Sequence, residues 1–107
     1  MKTTLLIILA SIFSFDQTKL DKVLENDQLL INYSVTKEKE KALIIGEIWD
    51  KTQNPKIPFE GMNIVLKDHP VGTVSNKMGK FKLEVKVKSG TIHMSFVGYK
   101  SVELKFQ

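Results

Sequence analysis

The side chains best suited to catalysis in this sequence are two histidines, His69 and His93. A Ser, Thr or Lys nucleophile needs a neighbouring base that is oriented by a third group. Asp68 precedes His69 and could orient it or ligate a metal, but a tetrahedral zinc site needs three or four ligands. Asp50 and Glu60 flank a proline-containing loop, where solvated turn carboxylates are expected instead of an acid–base pair. The sequence therefore predicts no catalytic residue, no cofactor and no metal site.

Three aromatic side chains, Trp49, Phe59 and Tyr99, offer a second kind of chemistry, a stacking surface for a sugar or a peptide. Exposed rings can form such a platform, whereas buried rings pack and a buried Tyr hydroxyl bonds to a nearby partner, here expected to be backbone. Packing is the favoured interpretation, and Trp49 and Phe59 are kept as candidate ligand contacts. Two aromatic rings exposed on one face would indicate a carbohydrate- or peptide-binding module.

The charged residues narrow the range of partners. Sixteen lysines and no arginine stand against twelve acidic residues, for a formal net charge of +4. Specific recognition of phosphate and guanine depends on the bidentate guanidinium group that lysine lacks, so we expect a lysine-coated solvent face and no nucleic-acid partner. The absence of cysteine excludes disulfides and thiolate metal sites. Small secreted eukaryotic domains are often rich in disulfides, so this absence favours a bacterial envelope protein.

Strands with a period of two must position these side chains. The clearest alternation of apolar and charged residues runs through residues 80–88, and similar patterns occupy residues 92–96 and 101–106. Successive side chains of a strand point to opposite faces, so this pattern is typical of half-buried antiparallel strands. With glycine and proline turns between them, the strands predict an all-β fold, a small antiparallel β-sandwich, over residues 42–107. The side chains expected to face inward are Phe81, Leu83, Val85, Ile92, Met94, Phe96, Val102 and Leu104.

The front of the chain predicts a cleavable signal peptide over residues 1–14. Lys2 provides a basic start, residues 5–15 carry no charge, and Asp16 ends the run. This layout is typical of secretory signals, and the run is shorter than the roughly 20 apolar residues of a membrane-spanning helix. The small side chain of Ser14 favours cleavage directly after it. We therefore expect export to the periplasm or outer membrane of a Gram-negative bacterium, with no stable membrane anchor after cleavage.

Residues 15–41 are predicted to link the signal peptide to the domain. The apolar side chains of residues 20–24 lie at helical spacing, which predicts one or two helical turns. Alternation over residues 31–36 predicts a short strand. The mixed-charge run of residues 37–41 is expected to be solvated, and it marks the boundary before the domain begins at residue 42.

Five short motifs follow one another through the predicted domain. They are Gly46-x-Ile48-x-Asp50, residues 58–64, residues 72–76, Gly79-x-Phe81-x-Leu83 and residues 95–101. In order and spacing they resemble the carboxypeptidase-like regulatory domain, also called the peptidase-associated domain, over about residues 43–107. The family usually has Thr-Asp where this chain has Ser75-Asn76, and both pairs can cap a turn through side-chain-to-backbone hydrogen bonds.

The resemblance implies a transthyretin-like (prealbumin-like) sandwich of seven strands that carries no chemistry of its own. In carboxypeptidases such a domain lies behind the catalytic domain, and in Gram-negative envelopes it often precedes outer-membrane receptors for nutrient uptake. The motif residues are interpreted as structural, with glycines at turns or bulges, an Asp that caps a turn and a packed Tyr ring. These residues are Gly46, Asp50, Pro58, Gly61, Gly72, Gly79, Phe81, Gly98 and Tyr99.

The sequence thus favours a non-catalytic exported β-sandwich module with a structural or protein-interaction role in the cell envelope. Its expected partner is another envelope protein or a receptor. Two alternatives stay open. A carbohydrate- or peptide-binding module would show exposed aromatic rings, and a small hydrolase would show a pocket that joins a histidine to a carboxylate.

Overall fold

The structure, a computed structural model, describes residues 19–107, so the predicted signal peptide over residues 1–14 lies outside the described part. Nine β-strands and no helix occur in the described residues. They are β1 (Lys22–Glu25), β2 (Leu29–Glu38), β3 (Lys41–Asp50), β4 (Ile57–Pro58), β5 (Asn63–Leu66), β6 (Gly72–Val74), β7 (Lys80–Val85), β8 (Gly90–Ser95) and β9 (Val102–Phe106). Within residues 19–107, accordingly, no helix is long and apolar enough to cross a membrane.

The strands form two antiparallel sheets. The first sheet has five strands, in which β1, β2 and β3 lie side by side and both β4 and β7 pair with the other edge of β3. The second sheet has four strands in the order β6-β5-β8-β9. The two sheets enclose a single hydrophobic core, so the predicted all-β sandwich is confirmed.

The core is built by the inward-facing side chains of both sheets. Alternation buries one face of each strand, as along β7, where Phe81, Leu83 and Val85 are buried while the residues between them are exposed. Seventeen buried apolar residues make up this core, namely Leu29, Ile31, Ala42, Ile44, Ile48, Phe59, Met62, Ile64, Leu66, Phe81, Leu83, Val85, Ile92, Met94, Val102, Leu104 and Phe106.

Phe96 departs from the predicted inward set, since 42% of its surface is exposed. The seven other members of that set are buried. The strand β8 ends at Ser95, and the chain then turns, with the amide of Tyr99 donating to the carbonyl of Phe96 at 3.0 Å. The alternation that the sequence predicts through residue 96 therefore stops one residue earlier.

The segment predicted as a linker is part of the first sheet. β2 and β3 form a hairpin paired over ten residues each, from Leu29 opposite Asp50 to Glu38 opposite Lys41. The charged run of residues 37–41 is the exposed tip of this hairpin, and Lys39 has the positive φ of 54° that a tight turn requires. The charge run thus marks a turn inside the sandwich.

The helical turns predicted over residues 20–24 are wrong, because Lys22–Glu25 forms strand β1. β1 pairs antiparallel with β2, Leu24 lies opposite Ile31, and Leu24 packs against the core while 61% of Val23 is exposed. Three apolar residues within five positions fit a helix and a short strand equally well. The open backbone edge of β2 decides between them, since β1 satisfies its hydrogen-bonding groups.

Candidate functional site

Asp50, the last residue of β3, joins three segments at one end of the sandwich. Only 5% of Asp50 is exposed. One carboxylate oxygen, Oδ1, accepts from the amide of Thr52 at 2.9 Å and from the Thr52 hydroxyl at 2.5 Å. The other, Oδ2, accepts from the hydroxyl of Tyr99 at 2.6 Å. The bonds to Thr52 are the turn cap that the sequence predicts, whereas the Tyr99 hydroxyl bonds to a carboxylate and not to backbone.

These hydrogen bonds set the protonation states of both partners. Burial alone raises the pKa of Asp50, but the bonds from the Thr52 hydroxyl, the Tyr99 hydroxyl and the Thr52 amide outweigh it, so the pKa lies below its ordinary value. The bond to Asp50 raises the pKa of Tyr99, and burial adds to the effect. Near neutral pH the pair is therefore a carboxylate and a neutral phenol, which suits a fixed structural bond.

Three aromatic rings pack beside this pair and form the aromatic end cluster, composed of Phe59, Phe96 and Tyr99. The ring of Phe59 lies 4.9 Å from Phe96 and 4.9 Å from Tyr99, edge-to-face in both cases. Phe96 and Tyr99 are 6.0 Å apart. Such geometry stabilises aromatic pairs beyond the area they bury. Because Phe59 is 6% exposed, it is a core residue and does not offer a face to a ligand.

Trp49, the other candidate ligand contact, lies half-buried in β3, in the first sheet. Its indole nitrogen donates to Oε2 of Glu47 at 3.0 Å, and the ammonium group of Lys56 lies 5.0 Å from the ring centroid. This cation–π contact covers part of the ring. Trp49 and Phe59 therefore do not form one exposed platform.

Ser75 and Asn76 hold the turns around β6 and β7. Ser75 is 2% exposed, and its hydroxyl donates to the carbonyl of Phe59 at 2.7 Å and accepts from the amide of Met62 at 2.9 Å. The side-chain oxygen of Asn76 accepts from the amides of Met78 and Lys80. Both side chains thus replace backbone partners that the loops lack.

The remaining motif residues occupy turns and one close strand contact. Gly61, Gly79 and Gly98 have positive φ angles, Gly72 opens β6, and Pro58 lies in β4 opposite Trp49. Gly46 lies in the middle of β3 instead of at a turn or bulge, directly opposite Phe81. A side chain there would meet the Phe81 ring at 2.6 Å, so the glycine leaves room for that ring to fill the core.

The two histidines lie on different segments of the second sheet and its turns. His69 is exposed in the turn between β5 and β6. His93 lies in β8, with Nδ1 3.6 Å from Oε2 of Glu103, and Lys67 approaches the same carboxylate at 3.8 Å. Across residues 19–107 no group of three or more His, Cys, Asp or Glu side chains is placed to hold a metal ion.

The sequence did not predict the hydrogen bonds that connect the turn between β1 and β2 to the end of the sandwich where Asp50 and Tyr99 lie. The side-chain oxygen of Asn26 accepts from the amides of Gln28 and Leu29, both at 2.8 Å. The Gln28 side chain in turn accepts from the amide of Lys100 at 2.7 Å. An Asn two residues before Gln28 is a local turn signal, whereas the bond to Lys100 spans 72 positions and has no sequence signature.

Comparison with known families identifies the fold. The model of the family described as CarboxypepD_reg-like domain matches residues 44–107. The chain belongs to this family. No curated protein and no solved structure matches the chain.

Membership in the CarboxypepD_reg-like family accounts for the motif residues described above. The matched part begins within β3 and continues through β9, while β1 and β2 extend the first sheet before it. Domains of this family are generally non-catalytic β-sandwich modules. The hydrogen-bonded Asp50–Tyr99 pair and the buried Ser75 are in keeping with such a module, because both stabilise turns of the sandwich.

Proposed function

We propose that this CarboxypepD_reg-like domain is an exported, non-enzymatic module that acts by binding another protein of the cell envelope. The observation that carries the proposal is the use of its polar motif residues. Asp50, Ser75, Asn76 and Tyr99 are engaged in hydrogen bonds with backbone, with Thr52 or with each other. Side chains held in this way stabilise loops, so the sheet faces and edges are left to meet a partner.

The protonation states support a role without catalysis. A general base works best with a pKa near the working pH, and a general acid must release its proton there. The pKa of Asp50 is lowered and that of Tyr99 is raised, so both move away from neutrality. His93 lies 3.6 Å from Glu103 and beside Lys67 on a half-exposed sheet face, a setting typical of solvated surface side chains.

Export is supported by the amino-terminal sequence. Lys2, the uncharged residues 5–15 and Asp16 have the layout of a secretory signal. The absence of cysteine and arginine agrees with a lysine-rich envelope protein. The periplasm or outer membrane of a Gram-negative bacterium is the compartment that we assign.

Cell fractionation and activity assays test the two parts of the proposal. The chain produced in a Gram-negative host should appear in the periplasmic or envelope fraction, shortened by about fourteen residues, near the lower end of signal-peptide lengths. Full-length protein in the cytosol would contradict export. The purified protein should give no turnover of peptidase, esterase or glycosidase substrates. Turnover that disappears in His69→Ala or His93→Ala would show a hydrolase instead.

The interaction itself is tested by crosslinking in intact cells. Amine-reactive crosslinkers should yield a discrete heavier species that contains this chain and one other envelope protein, since lysines cover its surface. The same treatment of the purified protein should give monomer. A chain that stays monomeric in cells under conditions that crosslink known envelope complexes would contradict a protein-interaction role.

A further inference from the structure

One side of the sandwich is open. The second sheet ends at β9, whereas the first sheet continues past β3 with both β2 and β1. The two ends of β9 lie near the two ends of β2. At the start of β9 the amide of Lys100 donates to Gln28 at 2.7 Å, and at its end Phe106 lines the same cleft as Val35. β1 therefore overhangs the second sheet, and within residues 19–107 no strand pairs with the outer edge of β9.

The backbone of β9 offers hydrogen-bonding groups on that outer edge. The amide of Lys67 donates to the carbonyl of Thr91, so the backbone groups of Thr91 face β5. These groups alternate along an antiparallel strand, so the groups of Ile92 face β9 and bond to Leu104, its partner in the register. The N–H and C=O groups of the residues on either side of Leu104, Glu103 and Lys105, then point away from β8. They form the unpaired row that an added strand requires.

A cleft of about 540 Å³ lies between this edge and the overhanging strands. We name it the β9 cleft. Tyr33, Val35 and Phe106 give it an apolar surface, and Lys22, Lys37 and Lys105 give it cations. The cleft is thus suited to a chain that presents apolar side chains to one face and acidic side chains to the other.

The cations of the β9 cleft outnumber the acidic groups that act on it, of which Asp21 is close enough to affect Tyr33. Lys22, Lys37 and Lys105 make no ion pair within the described residues, in contrast to Lys51, which pairs with Glu25 at 2.6 Å. Neighbouring Glu103 is already shared by Lys67 and His93. Three unpaired ammonium groups around one cleft attract acidic ligands.

Tyr33 adds a hydrogen-bond donor. Burial raises its pKa, and the charge of Asp21 raises it further, so the hydroxyl stays protonated at neutral pH. A neutral phenol among unpaired ammonium groups can donate to a carboxylate. Tyr33 shares this face of the first sheet with Lys22, its partner in the register, and with Lys37, four positions further along β2.

We propose that the β9 cleft binds an acidic, extended peptide segment of a partner protein, which adds as a strand to β9. The proposal rests on the proposed protein-interaction function and names its surface and partner chemistry. An added strand bonds its backbone to Glu103 and Lys105 and lies beneath β1. Its apolar residues face Tyr33 and Val35 across the cleft, where Lys22 and Lys37 also lie, and its alternating acidic residues lie on the outer face beside Lys105. A second copy of the chain fits less well, because its β9 carries one acid and one base, Glu103 and Lys105, and so brings no excess negative charge to the cations of the cleft.

A binding titration tests the proposal with defined probes. The full chain is mixed with a labelled peptide of about seven residues that alternates Glu and Val, a length suited to one strand. Three comparison peptides are used. In one, Lys replaces Glu. In another, the order is scrambled so that the Val residues are consecutive. In the third, alternate backbone nitrogens are methylated, which keeps the charge and removes the donors for strand pairing. The alternating Glu peptide should bind at least about tenfold more tightly than each of them.

Two lysine variants of equal charge separate the cleft from general attraction. The triple variant Lys22→Gln, Lys37→Gln and Lys105→Gln should bind the Glu–Val peptide at least about tenfold more weakly than the parent chain does. Combined Lys56→Gln, Lys77→Gln and Lys80→Gln, which are exposed and do not line this cleft, should change affinity less than about twofold. Thermal unfolding of both variants checks that each is folded. Hydrogen exchange should show slowed amides at Glu103 and Lys105 when the peptide is bound.

Several results would overturn the site. These are equal losses in both triple variants, undiminished binding of the methylated peptide, protection at another edge, or no binding of the Glu–Val peptide. Protection of Glu103 and Lys105 that follows dimer formation would assign the edge to a second copy, and protection that is lost on removal of residues 1–18 would assign it to the chain itself. If the cellular crosslink to an envelope protein persists in any of these cases, the interaction function stands and only this site falls.

Discussion

Asp50 shows how one side chain can hold distant segments together. Its carboxylate caps the turn after β3 through Thr52, and it fixes the 96–99 turn through the Tyr99 hydroxyl, 49 positions away. The Tyr99 ring then packs on Phe59. Loss of the charge should loosen both connections, because hydrogen bonds to an ionised group are stronger than neutral ones.

Asp50→Asn should lower the free energy of unfolding by about 1–3 kcal/mol at pH 7. The lowered pKa means that the native state favours the ionised form. That advantage is complete above the unfolded-state pKa, near 3.9, and it is lost as the pH falls through the native value below it. Urea unfolding should therefore show a gap between parent and variant that narrows from about pH 5 downward. Asp68→Asn, at an exposed carboxylate, is the control, and a gap that is constant with pH would contradict the assignment.

Gly79 and Gly98 form a matched pair for testing local crowding. Both have positive φ, 76° and 91°, but a β-carbon on Gly79 would lie 2.5 Å from the Ile48 carbonyl oxygen and 3.0 Å from the Phe59 nitrogen, whereas one on Gly98 meets nothing within 4 Å. Gly98→Ala should cost about 1–2 kcal/mol, the strain of a left-handed conformation. Gly79→Ala should cost about 1–3 kcal/mol more, because it displaces β3 backbone. If chemical denaturation shows equal losses of unfolding free energy for the two variants, the hydrogen-bonded backbone of Ile48 and Phe59 moves aside for the added methyl group without cost.

At the scale of strands, the clarity of the sequence pattern depends on what covers each face. β7 and β9 alternate cleanly because one face is buried and the other is solvated, so their bounds and inward residues are readable from sequence. β3 is apolar on both faces, since Leu43, Ile45 and Trp49 stay half-buried on its outer face. The sequence predicts that strand but does not distinguish its faces.

The contacts of the candidate site also differ in how well the sequence predicts them. Capping by Asp50, Ser75 and Asn76 is predictable because turn chemistry is local. The bond from Tyr99 to Asp50 and the fit of Phe81 over Gly46 depend on register between distant strands, which one sequence does not reveal. The sequence did not predict β1 as a strand for a related reason. Its strand conformation depends on backbone hydrogen bonds to β2, which its own residues do not indicate.

Leu83→Ala tests the assigned faces of β7. Leu83 is 4% exposed, so removal of its side chain should leave a cavity and lower the free energy of unfolding by about 2–5 kcal/mol. Lys86→Ala, at an exposed lysine just beyond the strand, should cost less than about 0.5 kcal/mol. Denaturant midpoints measured on both variants check this, and similar shifts would mean that β7 is turned the other way.

Across the whole molecule, the sandwich is assembled from two parts of the chain. The family-matched residues 44–107 include strands from β3 to β9, and β1 and β2, which precede them, widen the first sheet. On the opposite side of the molecule, the short connection between β6 and β7 joins the second sheet to the first. In it the Asn76 amide donates to the Lys80 carbonyl at 2.9 Å. The N-terminal strands thus create the overhang from which the β9 cleft arises, with Lys22 and Tyr33 from one part and Lys105 and Phe106 from the other.

The same assembly predicts that residues 42–107 will not fold as an independent domain, despite their near coincidence with the family match. Removal of residues 19–41 takes away Leu29 and Ile31, both fully buried, and leaves β3 without its ten-residue partner. Burial of two such side chains contributes about 3–6 kcal/mol, a large part of the 5–15 kcal/mol that stabilises a typical domain.

Circular dichroism and proton NMR should therefore show the 42–107 chain unfolded or aggregated through the exposed edge of β3. A chain that begins at Asn26 is the matched control, since it lacks only β1, whose residues are mostly exposed, and keeps the Asn26 turn and all of β2. It should unfold cooperatively, with a loss of about 1–2 kcal/mol relative to the 19–107 chain. If the 42–107 chain instead unfolds with the same cooperativity and midpoint as the 19–107 chain, residues 42–107 fold independently. β1 and β2 would then be additions to that domain, and the domain would begin at residue 42.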